Sequence, residues 1–429
     1  MPILPERPRV PAYDPGLPVD RKVLKNGVVL LVQEQRTSDA VAATVALRMG
    51  PLYEEDVNAG LSQVLMRAIT GATATHDPIE FRLQCLAHKT EFQGGASADY
   101  GQLEMTTIRE EASPSLDLMA DVILSPSFPD TSIENAKAAF MREAADDVES
   151  PLPATYAMFL SAVYQGSPFA RPPHGSVQSL NECHRSDILA LYKKFFVGSN
   201  MAVAVVGNVD GKKVMEQLER RFAAAPVGQP PQAVGSDPAP LAADTLITAE
   251  RPYLARSLVY GFPAPGYADP DYPAFMVIDS YLRSGDRSPI TYWLPERGLA
   301  VGVGVMYPSY PRRSSMAVYL GASRANYEAA RDTVVEVFRT LKEFPLDKGE
   351  WSVQLKRVQN GFFFKQNEPI VRARNLSRWE IQGVGQDFPR AFETKLLQLT
   401  PEEVRDTAAR WLVHSCLASL KPTEGDTKP

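Results

Sequence analysis

Gln63, Met66 and Arg67 stand at positions i, i+3 and i+4 of the stretch AGLSQVLMRAITGAT, residues 59–73. On a helix that spacing puts side chains on one face, where they can converge on a shared object. Their types restrict the object. An amide with a neutral oxygen, a soft thioether and a permanent cation can hydrogen-bond, pack and pair with charge, and none of them takes a proton from water. His76, His88, His174, His184 and His414 include no i, i+3 or i+4 pair, so no common metal-ligand spacing occurs; lone histidines of this kind serve as surface or capping residues. Cys85, Cys183 and Cys416 give neither a Cys-x-x-Cys pair nor a disulfide framework, which fits a reducing compartment.

The elements that must position these residues follow from periodicity. Leu61, Val64, Leu65, Ala68 and Ile69 fall at i, i+3, i+4, i+7 and i+8, an apolar stripe that belongs against a core, and a helix is expected over 59–71. Upstream, KVLKNGVVLLVQE reads as a hairpin turning at Asn26-Gly27, and AVAATVALRMG as an apolar strand. Downstream, the patterns predict a helix near 78–88, strands near 91–98 and 101–109, helices near 113–124 and 132–149, and a closing unit from 184 to 222. In residues 223–244, AAAPVGQPPQAVGSDPAPLAAD, Pro, Gly and Ala replace both periodicities, as in a linker. Beyond it the order is similar: strand 254–262, helix 270–283, strands 299–306 and 314–321, helix 324–342 and further helices to 412.

A direct internal match supports that similarity. HRSDILALYKKFFVGSNMA (184–202) lies over TPEEVRDTAARWLVHSCLA (400–418) at a constant offset of 216, pairing Asp187 with Glu403, Ile188 with Val404 and Phe195 with Trp411. A duplicated α+β domain is inferred. The expected organisation is an N-terminal extension over 1–20, a first domain over 21–225, a linker over 226–243 and a second domain over 244–429.

The 429 residues suffice for a buried core in each domain. With 44% hydrophobic and 22% charged residues the chain reads as globular. A net charge of −6 argues against nucleic acid or an anionic membrane as partner. MPILPERPRVPAYDPGLPVD at the N-terminus has no apolar core of a signal peptide, and no run of about 20 apolar residues predicts a membrane span. The expected location is cytoplasmic, or periplasmic if a signal peptide was removed.

Five segments carry a family resemblance: LKNGVVLLVQE, MGPLYEEDVNAGL, GGASADYGQLEMTTI, GSVQSLNECHRSDILALYKKFFVGSNMAVAVVGNVD and ERGLAVGVGV. In this order, and across nearly the whole chain, the sequence resembles the M16 zinc peptidases, the family of insulin-degrading enzyme, pitrilysin and the mitochondrial processing peptidase. The resemblance implies an α+β fold of two homologous M16-type domains, each a mainly antiparallel sheet flanked by helices, in chains that dimerise around a chamber.

Active members carry His-x-x-Glu-His on the helix corresponding to 59–71. Both histidines bind zinc, the glutamate is general base, and a later glutamate is the third ligand; imidazoles at i and i+4 reach one cation, which lowers the pKa of its bound water toward about 7. Here those positions hold Gln63, Met66 and Arg67, which supply neither ligands nor base. Glu143, in AFMREAADD, stands where the third ligand is sought, and is expected either to pair with Arg67 or to lie on a solvated helix face. The family also uses an Arg and a Tyr from the second domain or a partner subunit. In YWLPERGLAVGVG those places hold Pro295 and Val301; Arg297 and Tyr292 are the candidate substitutes for substrate binding, against the plainer roles of a surface Arg and a packed Tyr. GSPFARPPHGS is either a substrate-facing loop or simply a turn.

Three functions follow from the resemblance. One is a non-catalytic subunit with no cofactor of its own, pairing with a zinc-bearing M16 homologue, or with itself, around extended peptides. Another is a divergent zinc metallopeptidase active alone. The third is a structural core-type subunit of a larger complex.

Overall fold

The computed structural model describes residues 17–423, apart from 173, 235–237, 254, 284, 286 and 309. In the first half the strands are β1 (Asp20–Val23), β2 (Val29–Glu34), β3 (Ala40–Leu47), β4 (Glu91–Ala96), β5 (Gly101–Ile108) and β6 (Met201–Gly207), and the helices are α1 (Leu61–Ala68), α2 (Pro78–Ala87), α3 (Ala112–Leu124), α4 (Asp130–Glu149), α5 (Pro151–Val163), α6 (Val177–Asn181), α7 (Arg185–Phe195) and α8 (Gly211–Phe222). The second half has β7 (Thr245–Arg251), β8 (Arg256–Pro265), β9 (Val301–Met306), β10 (Arg313–Ala322) and β11 (Cys416–Pro422), with α9 (Tyr272–Arg283), α10 (Trp293–Glu296), α11 (Tyr327–Glu343), α12 (Lys348–Lys365), α13 (Pro369–Ile381), α14 (Phe388–Gln398) and α15 (Pro401–Trp411).

The expected hairpin forms: Gly27 N–H donates to Leu24 O at 2.9 Å, with Gly27 at φ 93°, a left-handed conformation that suits glycine. The first sheet runs β1-β2-β6-β3-β5-β4 and the second β7-β11-β8-β10-β9. Each is mainly antiparallel with one parallel pair, β2 with β6 and β7 with β11. Past β1 the two strand orders follow the same path, and the internal match maps α7 and β6 onto α15 and β11. At the start of each matched helix the N-cap backbone N–H donates to a carboxylate three residues on, His184 to Asp187 and Thr400 to Glu403, both at 2.9 Å, the reciprocal half of a capping box.

The sequence expectations lacked α5 and β7, as well as the short α6 and α10. Helix α5 packs not on its own sheet but on β8, β10 and β11 of the other half, where Phe159, Val163 and Tyr164 meet Val259, Ala317, Cys416 and Ala418. The exchange is reciprocal. Helix α13 of the second half lies across β3 and β6, with Ala373 and Leu376 against Leu31, Ala42, Ala204 and Val206. Small residues on the receiving strands let the helix backbone come close, and Thr44 Oγ1 donates to Ala373 O at 2.9 Å. The opposite face of the first sheet carries the main core under α1, α3, α7 and α8. Strand β3 is thus covered on both faces, which explains its continuous apolar run.

Candidate functional site

Helix α1 begins without a side-chain cap, because its N-cap is Gly60 at φ 87°. Glu54 takes that role from the preceding loop. Its carboxylate, 1% exposed, accepts from Gly60 N at 2.9 Å and Ser62 N at 2.6 Å, two of the N–H groups a helix start leaves open. Burial raises the Glu54 carboxyl above the usual carboxylate range, partly offset by the bonds from Ser62 and Gly60. The loop from 167 to 175 packs beside it: Arg171 donates to Glu54 O at 2.8 Å and Pro51 O at 3.1 Å, and a Cβ on Gly60 would meet His174 O at 2.4 Å. GSPFARPPHGS therefore braces the entry to α1; its Pro173 lies outside the described residues.

The apolar stripe is buried as expected, with Leu61, Val64, Leu65, Ala68 and Ile69 all at 1% exposure or less. The three polar-face positions do not converge. Gln63 clasps the end of β4, its Nε2 donating to Ala96 O at 2.6 Å and its Oε1 accepting from Ala96 N at 3.2 Å. Met66 is fully buried, which corrects its placement beside the core face. The cause is the depth at which α1 seats on the sheet. A Cβ on Gly94 would stand 1.8 Å from Met66 O, and one on Gly101 3.2 Å from Met66 Cγ, so these glycines admit the helix and enclose Met66. Arg67 points outward, its guanidinium 5.3 Å from the Phe140 ring centroid.

Glu143 projects from α4 toward Arg67, with Nη1 to Oε1 at 3.8 Å and both side chains about half exposed. The positions that the resemblance matches to ligand, base and third ligand thus hold a strand clasp, a core residue and an ion pair. Among the described residues no group of three His, Cys, Asp or Glu is placed to hold a metal ion. The residues on this face do not fit zinc: Arg67 carries a guanidinium, and the Gln63 amide is already engaged by Ala96.

Tyr292 and Arg297 flank the short α10. Arg297 lies 5.1 Å from the Trp293 ring centroid, and Tyr292 sits edge-on to the same ring at 5.5 Å. Arg297 is exposed. Tyr292, at 36% exposed, is not packed away, because Leu294 alone anchors this turn in the core. Val301 is also exposed at the head of β9, and a Cβ on the adjacent Gly302 would lie 3.6 Å from Leu152 of α5. The roles of Glu54 and Gly94 escaped the sequence reading; Glu54 acts across a loop with no periodic signature, and the double glycine in EFQGGA was the available signal for close approach.

Comparison with known proteins gives one family. Residues 29–175 match the family model described as Insulinase (Peptidase family M16), and residues 183–358 match Peptidase M16 inactive domain. An uncharacterized zinc protease of Rickettsia felis is 26% identical over 48% of this chain and 50% of its own length, so the chain matches only about half of that relative. One from Mycobacterium tuberculosis is 21% identical over 94% of each chain. Among solved structures, a peptidase M16 inactive domain from Pseudomonas fluorescens superposes with TM-score 0.84 at 19% identity, covering 94% of this chain and 98% of that one. A complex III structure from Candida albicans superposes with TM-score 0.78 at 13% identity, covering 94% and 96%. With both halves matched by its models and the duplicated fold reproduced, the chain belongs to peptidase family M16.

Proposed function

We propose that this chain is a non-catalytic M16 subunit that pairs with a zinc-bearing homologue, which supplies the metal, and completes a chamber for extended peptides. The observation that carries the reading is the state of α1: its packing is intact while the ligand and base positions have become Gln63–Ala96, buried Met66 and Arg67–Glu143. A helix so arranged supports walls and has no means to activate water. The outer strand β4 and the exposed α10 turn with Tyr292 and Arg297 are surfaces on which a peptide would be held. A structural role within a larger complex is the second reading, favoured by the likeness to a complex III structure.

The test mixes this protein with a zinc-bearing M16 homologue from the same source and follows cleavage of unstructured peptides. The mixture is expected to cleave well above the homologue alone, with no cleavage by this chain and no stoichiometric zinc in it by elemental analysis. Equal rates with and without the chain favour the structural role; a zinc ratio near one restores the metallopeptidase reading.

A further inference from the structure

Helices α9, α12, α13 and α14 of the second half surround a cavity of 620 Å³, within the range of about 300–1,000 Å³ typical of small-molecule sites. Its walls are aromatic: Trp379 lies 5.1 Å from Phe388 and 6.4 Å from Phe362, centroid to centroid. Among the described residues its lining is rich in cations, Arg283, Arg357, Lys365 and Arg378, with one lining carboxylate, Asp279, engaged by Arg283 at 2.9 Å, and with buried Asp99 near Arg378.

Four polar atoms on the lining side chains are buried without a hydrogen-bond partner: Arg378 Nε, Trp379 Nε1, Tyr267 Oη and Gln366 Oε1. The first three can donate and lack an acceptor, while the amide oxygen of Gln366 lacks a donor. Gly361 adds a separate observation. It sits within α12, where glycine weakens a helix, yet a Cβ there would meet nothing within 4 Å. Helix packing does not require the glycine, and the space in front of it belongs to the cavity.

We propose that this cavity binds a small amphipathic carboxylate, an aromatic body bearing one anionic group. The body packs against Phe362 and Phe388, which lie over the buried Trp379, and the carboxylate supplies the missing acceptor beside Arg378 while the cations at the mouth favour its charge. This proposal is independent of the peptide-chamber reading.

Isothermal titration calorimetry of the full chain with 2-naphthylacetate and its uncharged amide, 2-naphthylacetamide, tests it. The acid is expected to bind one to one, with the amide at least about tenfold weaker. Gly361→Leu, which fills the space and removes a helix-weakening residue, should abolish binding without lowering the melting temperature. Lys365→Met, at the exposed mouth, should weaken the acid and leave the amide unchanged. Equal affinity for acid and amide, binding unaltered by Gly361→Leu, or no heat at millimolar probe overturns the proposal.

Discussion

Gln63 and Arg67 lie one helical turn apart and do unequal work. Gln63→Ala strips partners from both the N–H and the C=O of Ala96, at a cost of about 1–2 kcal/mol. Arg67→Ala removes an exposed ion pair and should cost less than about 1 kcal/mol. Between them, Met66→Glu places a carboxylate at a fully buried position and should cost about 3 kcal/mol or more. Urea unfolding of the three variants checks the order. A Gln63→Ala variant no less stable than Arg67→Ala would mean that the clasp does not hold β4. Placing a His-x-x-Glu-His pattern at these positions would therefore work against the packing as well as the charge found here.

At the scale of elements, the contact between α1 and β4 rests on one glycine of a pair. Gly94→Ala drives a methyl group to 1.8 Å from Met66 O, a backbone atom that cannot rotate away, and should destabilise by about 2 kcal/mol or more. Gly95→Ala, where nothing lies within 4 Å, should be neutral or slightly stabilising, since alanine orders a strand at less entropic cost. Thermal melts of the two single variants decide this; equal midpoints would show that α1 shifts freely on the sheet. The same geometry explains the partial legibility of α1. Its apolar stripe was readable from spacing, whereas the burial of Met66 depended on glycines in strands some 30 residues away in sequence.

The whole molecule is held together by the exchanged helices, and one buried carboxylate sits in that seam. Asp99, between β4 and β5 and 2% exposed, accepts from Gln382 Nε2 at 2.6 Å and faces Arg378 of α13. Burial pushes its carboxyl up to about 6, against the lowering effect of Arg378 and Gln382. A folded pKa above the unfolded one means that the native state holds the proton more tightly. The stability from this group is complete below about pH 4, the unfolded range, and is lost as pH rises through about 6. Asp99→Asn removes that dependence. Relative to the wild type, the variant should gain stability between about pH 4 and pH 7, by on the order of 2–3 kcal/mol, read from unfolding midpoints across that range. A difference between the two proteins that does not vary with pH would reject an ionising Asp99 in the seam. Across the same boundary Arg374 forms a two-pronged pair with Glu104 at 2.5 and 2.8 Å.

The sequence alone determined the two-domain α+β fold, the helix that bears Gln63, Met66 and Arg67, and the chemistry those residues lack, because periodicity and residue type are local properties. The match of α7 and β6 to α15 and β11 was legible for the same reason: a helix cap and an apolar strand keep their spacing when a domain is duplicated. Tertiary structure alone decided where α5 and α13 go. Pro151, Pro153 and an apolar surface on several sides of α5 leave no clean periodic face, and its partners stand about 100 residues or more downstream on β8, β10 and β11. It also decided that Gln63, Met66 and Arg67 part company, since the direction of a side chain depends on what packs around its helix. Glycines on β4 and β5 enclose one, a strand end takes another, and α4 meets the third.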